Sequence, residues 1–428
     1  GVPVKNPLTS DAFSQFFVWK KVLVDTVLHG QLPLWNPTSL MGTPLLASFH
    51  SSVLNPGNLL LFFPKIGWGL YIFTSVLLSA LSMFLYLSLW TKSNRSKSIA
   101  TIVYVLSGPM TTWTEFGTAV YAAAFLPLFF YFLHTFTLRP QKKSALLLSL
   151  SICLLSFSGH VQLLTYTILI IPLYLLYLKK GFKAVPFVLF GLMLASVQFL
   201  PTLSFYQRSI RSEEHYSWTF NYGLSPLSQA IRMWAADFYG HPTTRNHFSD
   251  VSYHEYSSFL GFLTLPLIFS LWFDRKLRRR IVFPSLIFIA SLLFAFDNPF
   301  SRYIFSLSIP LLTYSSASRI FFILNFAAAI LIAIRLEDIL NSKFLKSPVI
   351  FILLFIAITF LASYLVPQEF RSISQRNIIL YLAVGTTFIL ASIFLYKRPL
   401  LFYLAIFFLY SLDLGRYFLK YNTFFPTS

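Results

Sequence analysis

Asp11 stands just ahead of an apolar-periodic stretch. From there a carboxylate can take a proton from a hydroxyl arriving through water, or simply cap a helix. Arg319 opens an apolar run after Tyr314, Ser315, Ser316, Ala317 and Ser318, and Arg302 precedes it in the same connection. A guanidinium so placed can hold two phosphate oxygens, or it can snorkel to lipid head groups. His160 and Gln162 fall in a tight turn between two apolar runs; they either line a pocket or satisfy the turn. Glu115, between Trp113 and Phe116, is a second carboxylate for a metal or a ligand hydroxyl, or an exposed loop acid. The stretch holding Glu213, Glu214, His215, Asp237, His241, His247, Asp250, His254 and Glu255 is rich in metal-ligand types. It lacks a compact spacing such as His-Glu-x-x-His and reads as a polar loop.

The elements that must carry these residues are membrane spans. Of 428 residues, 56% are hydrophobic and 19% aromatic, with 11% charged and a mean hydropathy of +0.68. A water-soluble globule is excluded. Runs long enough to cross about 30 Å of hydrocarbon fall near 68–90, 98–113, 118–137, 144–158, 161–178 and 184–204, then near 258–273, 281–296, 319–335, 348–366, 377–395 and 399–414. Twelve spans are expected in an all-α polytopic bundle. The domains read as a first loop over 1–67, spans over 68–204, a large loop over 205–257, spans over 258–414 and a tail over 415–428. Ser107-Gly108-Pro109 breaks the second run, so it reads as kinked or as half-helices. Cys153, the one cysteine, excludes an intrachain disulfide and a thiolate zinc site.

The net charge of +19 is informative by its placement. Six alternate short loops, at 92–97, 139–143, 179–183, 274–280, 335–346 and 397–398, hold 19 basic residues against three acids, Asp274, Glu337 and Asp338. The remainder of the chain holds 14 basic and 11 acidic residues. The basic set is therefore expected on the cytoplasmic side, with the first loop, the large loop and the tail outward. Positive charge laid against an anionic inner leaflet also disfavours nucleic acid as a partner. The chain opens at Gly1 in an outward segment and stops at Ser428 in another, which is expected of a fragment that lacks a first span and a continuation.

The first loop is patterned. Phe13, Phe16, Phe17, Leu23, Val24, Val27 and Leu28 recur at helical spacing, with Gln15, Lys20, Lys21 and Asp25 between them, as in an interfacial helix on the bilayer. Gly30 ends it, and Pro33, Trp35, Asn36, Pro37, Gly42 and Pro44 impose a turn-rich path.

Asp11, Gly30-Gln31-Leu32-Pro33-Leu34-Trp35-Asn36-Pro37, Gly42-Thr43-Pro44-Leu45-Leu46-Ala47, Ser51-Ser52-Val53-Leu54-Asn55-Pro56 and Asn58-Leu59-Leu60 together resemble the first outer loop of the YfhO family of bacterial membrane proteins. Ser158-Gly159-His160-Val161-Gln162, Tyr222-Gly223-Leu224-Ser225-Pro226, Asp237-Phe238-Tyr239-Gly240 and Arg319 look like the same family. The resemblance runs along nearly the whole chain. It implies kinship with the GT-C superfamily, multi-span glycosyltransferases that take sugar from a polyprenyl-phosphate donor on the outer membrane face.

By that resemblance Asp11 is the general base; Arg319, with Arg302 in the same connection, is placed to hold the donor phosphate, and His160, Gln162, Glu115, Trp35 and Asn36 are the residues placed to contact substrate. The acceptor is a cell-envelope glycopolymer such as a teichoic acid, or a lipid, and transfer inverts the anomeric centre. Some GT-C enzymes use a divalent cation, so magnesium or manganese on Asp11 with Glu115 or Asp237 stays open. Trp113, Trp218 and Trp234 also suit sugar stacking, although aromatic belts are the default at interfaces. The site is then expected on the outward face of a bacterial cytoplasmic membrane. Twelve spans with polar breaks equally describe a secondary transporter or lipid flippase, although no repeat of two halves and no mid-span ionisable residue is evident. A catalytically silent assembly protein of the same fold is a third reading. No Walker-type loop or Gly-x-Ser-x-Gly turn is present.

Overall fold

The computed structural model describes residues 11–39, 41–179, 181–209, 223–309, 311–313, 315–341 and 345–422. Lys180, Glu213, Glu214, His215, Trp218, Tyr222, Tyr314, Lys343 and the end from 423 to 428 lie outside them.

Every expected span is helical in whole or in part, the one at 258–273 only over Thr264–Trp272. In chain order the described α-helices are α1 (Phe17–Leu28), α2 (Gly67–Leu87), α3 (Asn94–Leu106), α4 (Gly108–Trp113), α5 (Thr118–Leu138), α6 (Lys142–Phe157), α7 (Val161–Leu178), α8 (Val185–Leu194) and α9 (Ser196–Gln207). They continue as α10 (Thr264–Trp272), α11 (Arg278–Ala295), α12 (Pro299–Ser306), α13 (Phe321–Asn341), α14 (Lys346–Tyr364), α15 (Gln368–Phe394) and α16 (Pro399–Tyr421). Among the described residues seven helices are long and apolar enough to cross a membrane, and an eighth crossing arises if α8 and α9, bent by 63°, count as one. The other four expected spans are shorter, broken or charged at one end. The run at 98–113 splits at Ser107, whose extended backbone separates α3 from α4. α6 has 16 residues and α10 only nine, while α11 starts on three arginines.

α13 is the axis of the bundle. It is buried on every face from Phe321 to Leu336, with Asn325 and Arg335 the polar side chains of that stretch, the behaviour expected of a helix with no water-facing side. α2 packs on α5 through small residues. Ser75 and Ser79 fold their hydroxyls back onto their own helix, and Ser79 reaches Val120 O at 3.2 Å. Backbones can approach closely where such residues face each other.

At the end of the bundle that carries the basic loops, the three acids found among them are all engaged. Arg335 meets Asp338 at 2.7 Å and Asp274 at 3.6 Å, and Arg280 meets Glu337 at 2.7 Å.

The first loop departs from the expected interfacial helix. Its helix starts with a π-wound turn, Ala12–Phe16, and runs on as α1 until Gly30 at φ +73°. Lys20 is buried instead of facing water. Its ammonium donates to Ser51 O, Ser52 Oγ and Asn58 Oδ1 at 2.9, 2.6 and 2.7 Å and lies over the Tyr71 ring. Three oxygens gathered from 31 to 38 residues downstream replace its water, so the helix docks on the loop through Lys20 and Leu23. Burial pulls the Lys20 ammonium well below its ordinary pKa. Beyond α1, Trp35–Asn36 and Thr43–Pro44 pair as a short antiparallel hairpin.

Candidate functional site

The site forms where the first loop meets the ends of the helices. Phe16 packs on Phe116 with ring centroids 4.8 Å apart, which brings the start of the first helix to the 114–116 turn between α4 and α5. Asp11 heads this segment, exposed, and its side chain caps nothing in the helix it precedes. The capping alternative is thus excluded by geometry.

Glu115 sits in that turn, nine-tenths buried, with neither carboxyl oxygen in a hydrogen bond of normal geometry. Burial first, and the charge of Asp11 second, push its pKa up to about 9 against a smaller opposing pull from the Tyr421 hydroxyl. At neutral pH it is a neutral acid holding a proton. His254 lies 3.8 Å away, wedged between Trp113 and Phe116, with Nδ1 3.3 Å from the Tyr421 hydroxyl. Burial lowers His254 to about 4, so it too is neutral.

The next residue, Glu255, holds Arg319. The guanidinium grips the carboxylate through Nη2 at 2.7 Å and Nε at 3.2 Å, and stacks over the Trp113 ring at 4.9 Å. Burial alone would raise the Glu255 carboxyl, but the Arg319 charge overcomes it and holds it low. Nη1 of Arg319 is not engaged in that pair.

His160 and Gln162 close the group from the α6–α7 turn. His160 Nδ1 accepts the Leu163 N–H and caps α7, which leaves the proton on Nε2 by this geometry. Nε2 is buried with no acceptor. Burial, with His50 and Arg319 nearby, keeps the ring far below its ordinary pKa, and its edge meets Trp113 at 5.3 Å. Gln162 donates to Tyr166 Oη and Ser316 O at 2.6 and 2.9 Å, while its Oε1 is buried without a donor.

Other expected residues lie apart from this group. Arg302 is gripped by Asp297 at 2.6 and 2.7 Å on an exposed helix start. Asn36 is buried and spends its amide inside its own turn, accepting from Thr38 and donating to Ser39. Trp35 is half exposed on the hairpin. Asp237 belongs to a second polar cluster, where Lys420 and Arg416 hold one oxygen at 2.7 and 3.0 Å and the Tyr253 hydroxyl reaches the other at 3.3 Å. Among the described residues no three His, Cys, Asp or Glu side chains converge as a metal set. His254 and Glu255 look in sequence like ordinary loop residues, and Tyr421 gives no signal at all. Only the packing of the 254–255 segment on the Trp113 turn singles them out.

No family model and no curated protein matches the chain by sequence, so the YfhO resemblance rests on its motifs. One solved structure with a similar course is the crystal structure of ArnT from Cupriavidus metallidurans bound to undecaprenyl phosphate. It has a TM-score of 0.44 and 12% identity, covering 92% of this chain and 71% of that one. So loose a likeness carries no argument, and the site's own chemistry has to bear the functional reading.

Proposed function

We propose that the chain is a membrane glycosyltransferase that moves a sugar from a polyprenyl-phosphate donor to a hydroxyl of a cell-envelope glycopolymer, a teichoic acid being one such acceptor. The observation that carries this reading is the buried Glu115 carboxyl, raised by burial and by the nearby Asp11 charge, in the same turn as Trp113, on whose ring the Arg319 guanidinium stacks. Two carboxyl groups of unlike environment beside a fixed cation are the parts that a transfer from a phosphate leaving group needs.

In this reading Asp11, exposed to incoming acceptor, takes the hydroxyl proton as the oxygen attacks the anomeric carbon. The bond from that carbon to the phosphate oxygen breaks on the opposite face, giving inversion. The departing polyprenyl phosphate gains a second negative charge, which Arg319 meets through Nη1 while Glu255 keeps the guanidinium aimed. Glu115, protonated, donates a hydrogen bond to the same phosphate, and the His160 Nε2–H offers another. The basic loops at the opposite end of the bundle support an outward-facing site in a bacterial cytoplasmic membrane.

The test follows free polyprenyl phosphate released from a panel of polyprenyl-phosphate sugars and envelope acceptors, with the unaltered chain and with Asp11→Asn. Release by the former, and its loss by about 100-fold or more in a variant that still binds donor, is the expected result. Equal release would remove Asp11 from the mechanism, and no release with any donor would favour a transporter or a silent scaffold.

A further inference from the structure

Residues 30–49 form a stretch without one Asp, Glu, Lys or Arg. Its hairpin turns apolar side chains outward: Leu32 is 76% exposed, Leu34 51%, Trp35 52% and Met41 fully so. Backbone geometry locks that arrangement. Gly42 adopts φ +112°, and a Cβ there would fall 2.6 Å from the Trp35 indole, so only glycine lets the ring lie flat across the hairpin. The Leu34 carbonyl accepts the Leu45 N–H and the strands pair at Trp35 and Asn36. The exposed residues are therefore held out by a built element. A loop meant for water would not present so continuous an apolar surface.

The position of the hairpin base says what covers that surface. The Leu46 carbonyl accepts from Gln198 Nε2 at 2.7 Å, and Phe49 stacks on Phe199 at 6.2 Å. Both partners lie in the first turn of α9, nine and eight residues before its last residue, Gln207. The hairpin thus abuts the bent span well inside its apolar length. There Met193, Leu194, Val197, Leu200 and Leu203 are also exposed, as side chains facing hydrocarbon must be. The base of the hairpin therefore stands beside the exposed apolar residues of α8 and α9.

We infer that this hairpin is a monotopic membrane anchor, its exposed residues Leu32, Leu34, Trp35 and Met41 sunk in the bilayer beside the bent span. Trp35 sits with its ring in the interfacial layer. The first loop is then tethered twice, by the span that follows it and by the hairpin, and Lys20 transmits that tether to α1 and so to Asp11.

The experiment places an environment-sensitive NBD label at Met41→Cys in a Cys153→Ala background, on the full chain in lipid nanodiscs. Lys21→Cys serves as the water reference and Leu81→Cys as the lipid reference. Expected at Met41 is emission blue-shifted to match Leu81, quenching by doxyl lipids, and iodide quenching several-fold weaker than at Lys21. A signal like that of Lys21 overturns the inference. So does protection from both quenchers, which would mean that protein covers the hairpin. If the cysteine variants do not fold, brominated-lipid quenching decides: loss of part of the quenchable tryptophan signal in Trp35→Phe supports insertion, and an unchanged quenchable fraction refutes it. No readout involves sugar transfer, so this inference and the proposed activity stand or fall separately.

Discussion

Two carboxyl groups, Glu115 and Asp237, are buried at the same end of the bundle and have opposite fates. Asp237 is met by Lys420, Arg416 and the Tyr253 hydroxyl, and its carboxyl stays below the ordinary range although burial alone would raise it. Glu115 has no cation in contact, a neighbour of like charge in Asp11, and a carboxyl raised to about 9. The contrast separates a lock from a site. Asp237 clips the last helix to the large loop, and its bonding capacity is already used. Glu115 keeps bonding capacity that no charged partner uses, which is how ligand sites differ from structural ion pairs.

The largest effect expected from breaking the comparison is Asp237→Ala. It strands two cations at a buried face, and the loss should be about 3–5 kcal/mol, read as a fall in unfolding free energy or a failure to accumulate folded protein. Glu115→Gln should be close to neutral at acid pH, because the amide mimics the protonated acid.

A pH series sharpens the contrast further. Glu115 is raised above its usual 4.5, so its favourable contribution is complete below that pH and is lost as pH climbs towards about 9. In that window stability should fall by up to about 1.4 kcal/mol per pH unit, and Glu115→Gln should abolish this slope. Asp237 has the opposite sign: its contribution is present above the usual 3.8 and disappears as pH falls through its lowered value. Asp237→Asn should therefore remove an acid-side loss, measurable by unfolding midpoints in detergent.

A smaller effect tests the cation. Arg319→Lys keeps a charge beside Glu255 but loses the fork, so under the proposed function affinity for a polyprenyl phosphate should drop about tenfold, or about 1.4 kcal/mol, by direct binding titration. Smallest of all, Arg302→Ala should change stability by less than about 1 kcal/mol and leave phosphate release unaltered, since its partner Asp297 is a solvent-exposed neighbour.

Much of the bundle was legible because apolar runs record burial in lipid directly. Ser107-Gly108-Pro109 announced the break between α3 and α4, and Gly30 the end of α1. Lys20 misleads a reading of periodicity because its acceptors come from residues 51, 52 and 58, whose approach no local pattern encodes. The span count exceeds the seven or eight that qualify by length because hydropathy alone cannot tell a crossing from a short buried helix such as α10. Asp11, Glu115, Arg319 and His160 were each visible as residue types at the ends of runs. That Glu255 aims Arg319 and that His254 sits against Glu115 depends on packing across 64 and 139 residues, and so on the tertiary structure.

The split between α3 and α4 has a bearing on how the chain is made. Gly108 N–H donates to Phe259 O at 2.6 Å, and a side chain at 108 would strike the Phe259 backbone, so the broken helix is completed by a segment 151 residues downstream. At roughly 5–20 residues per second, the ribosome takes about 8–30 s to deliver that partner. During this interval the early helices stand in the bilayer with an open backbone amide and an unfilled seam. A substitution at Gly108 would then weaken a contact that forms only after residue 259 has been made.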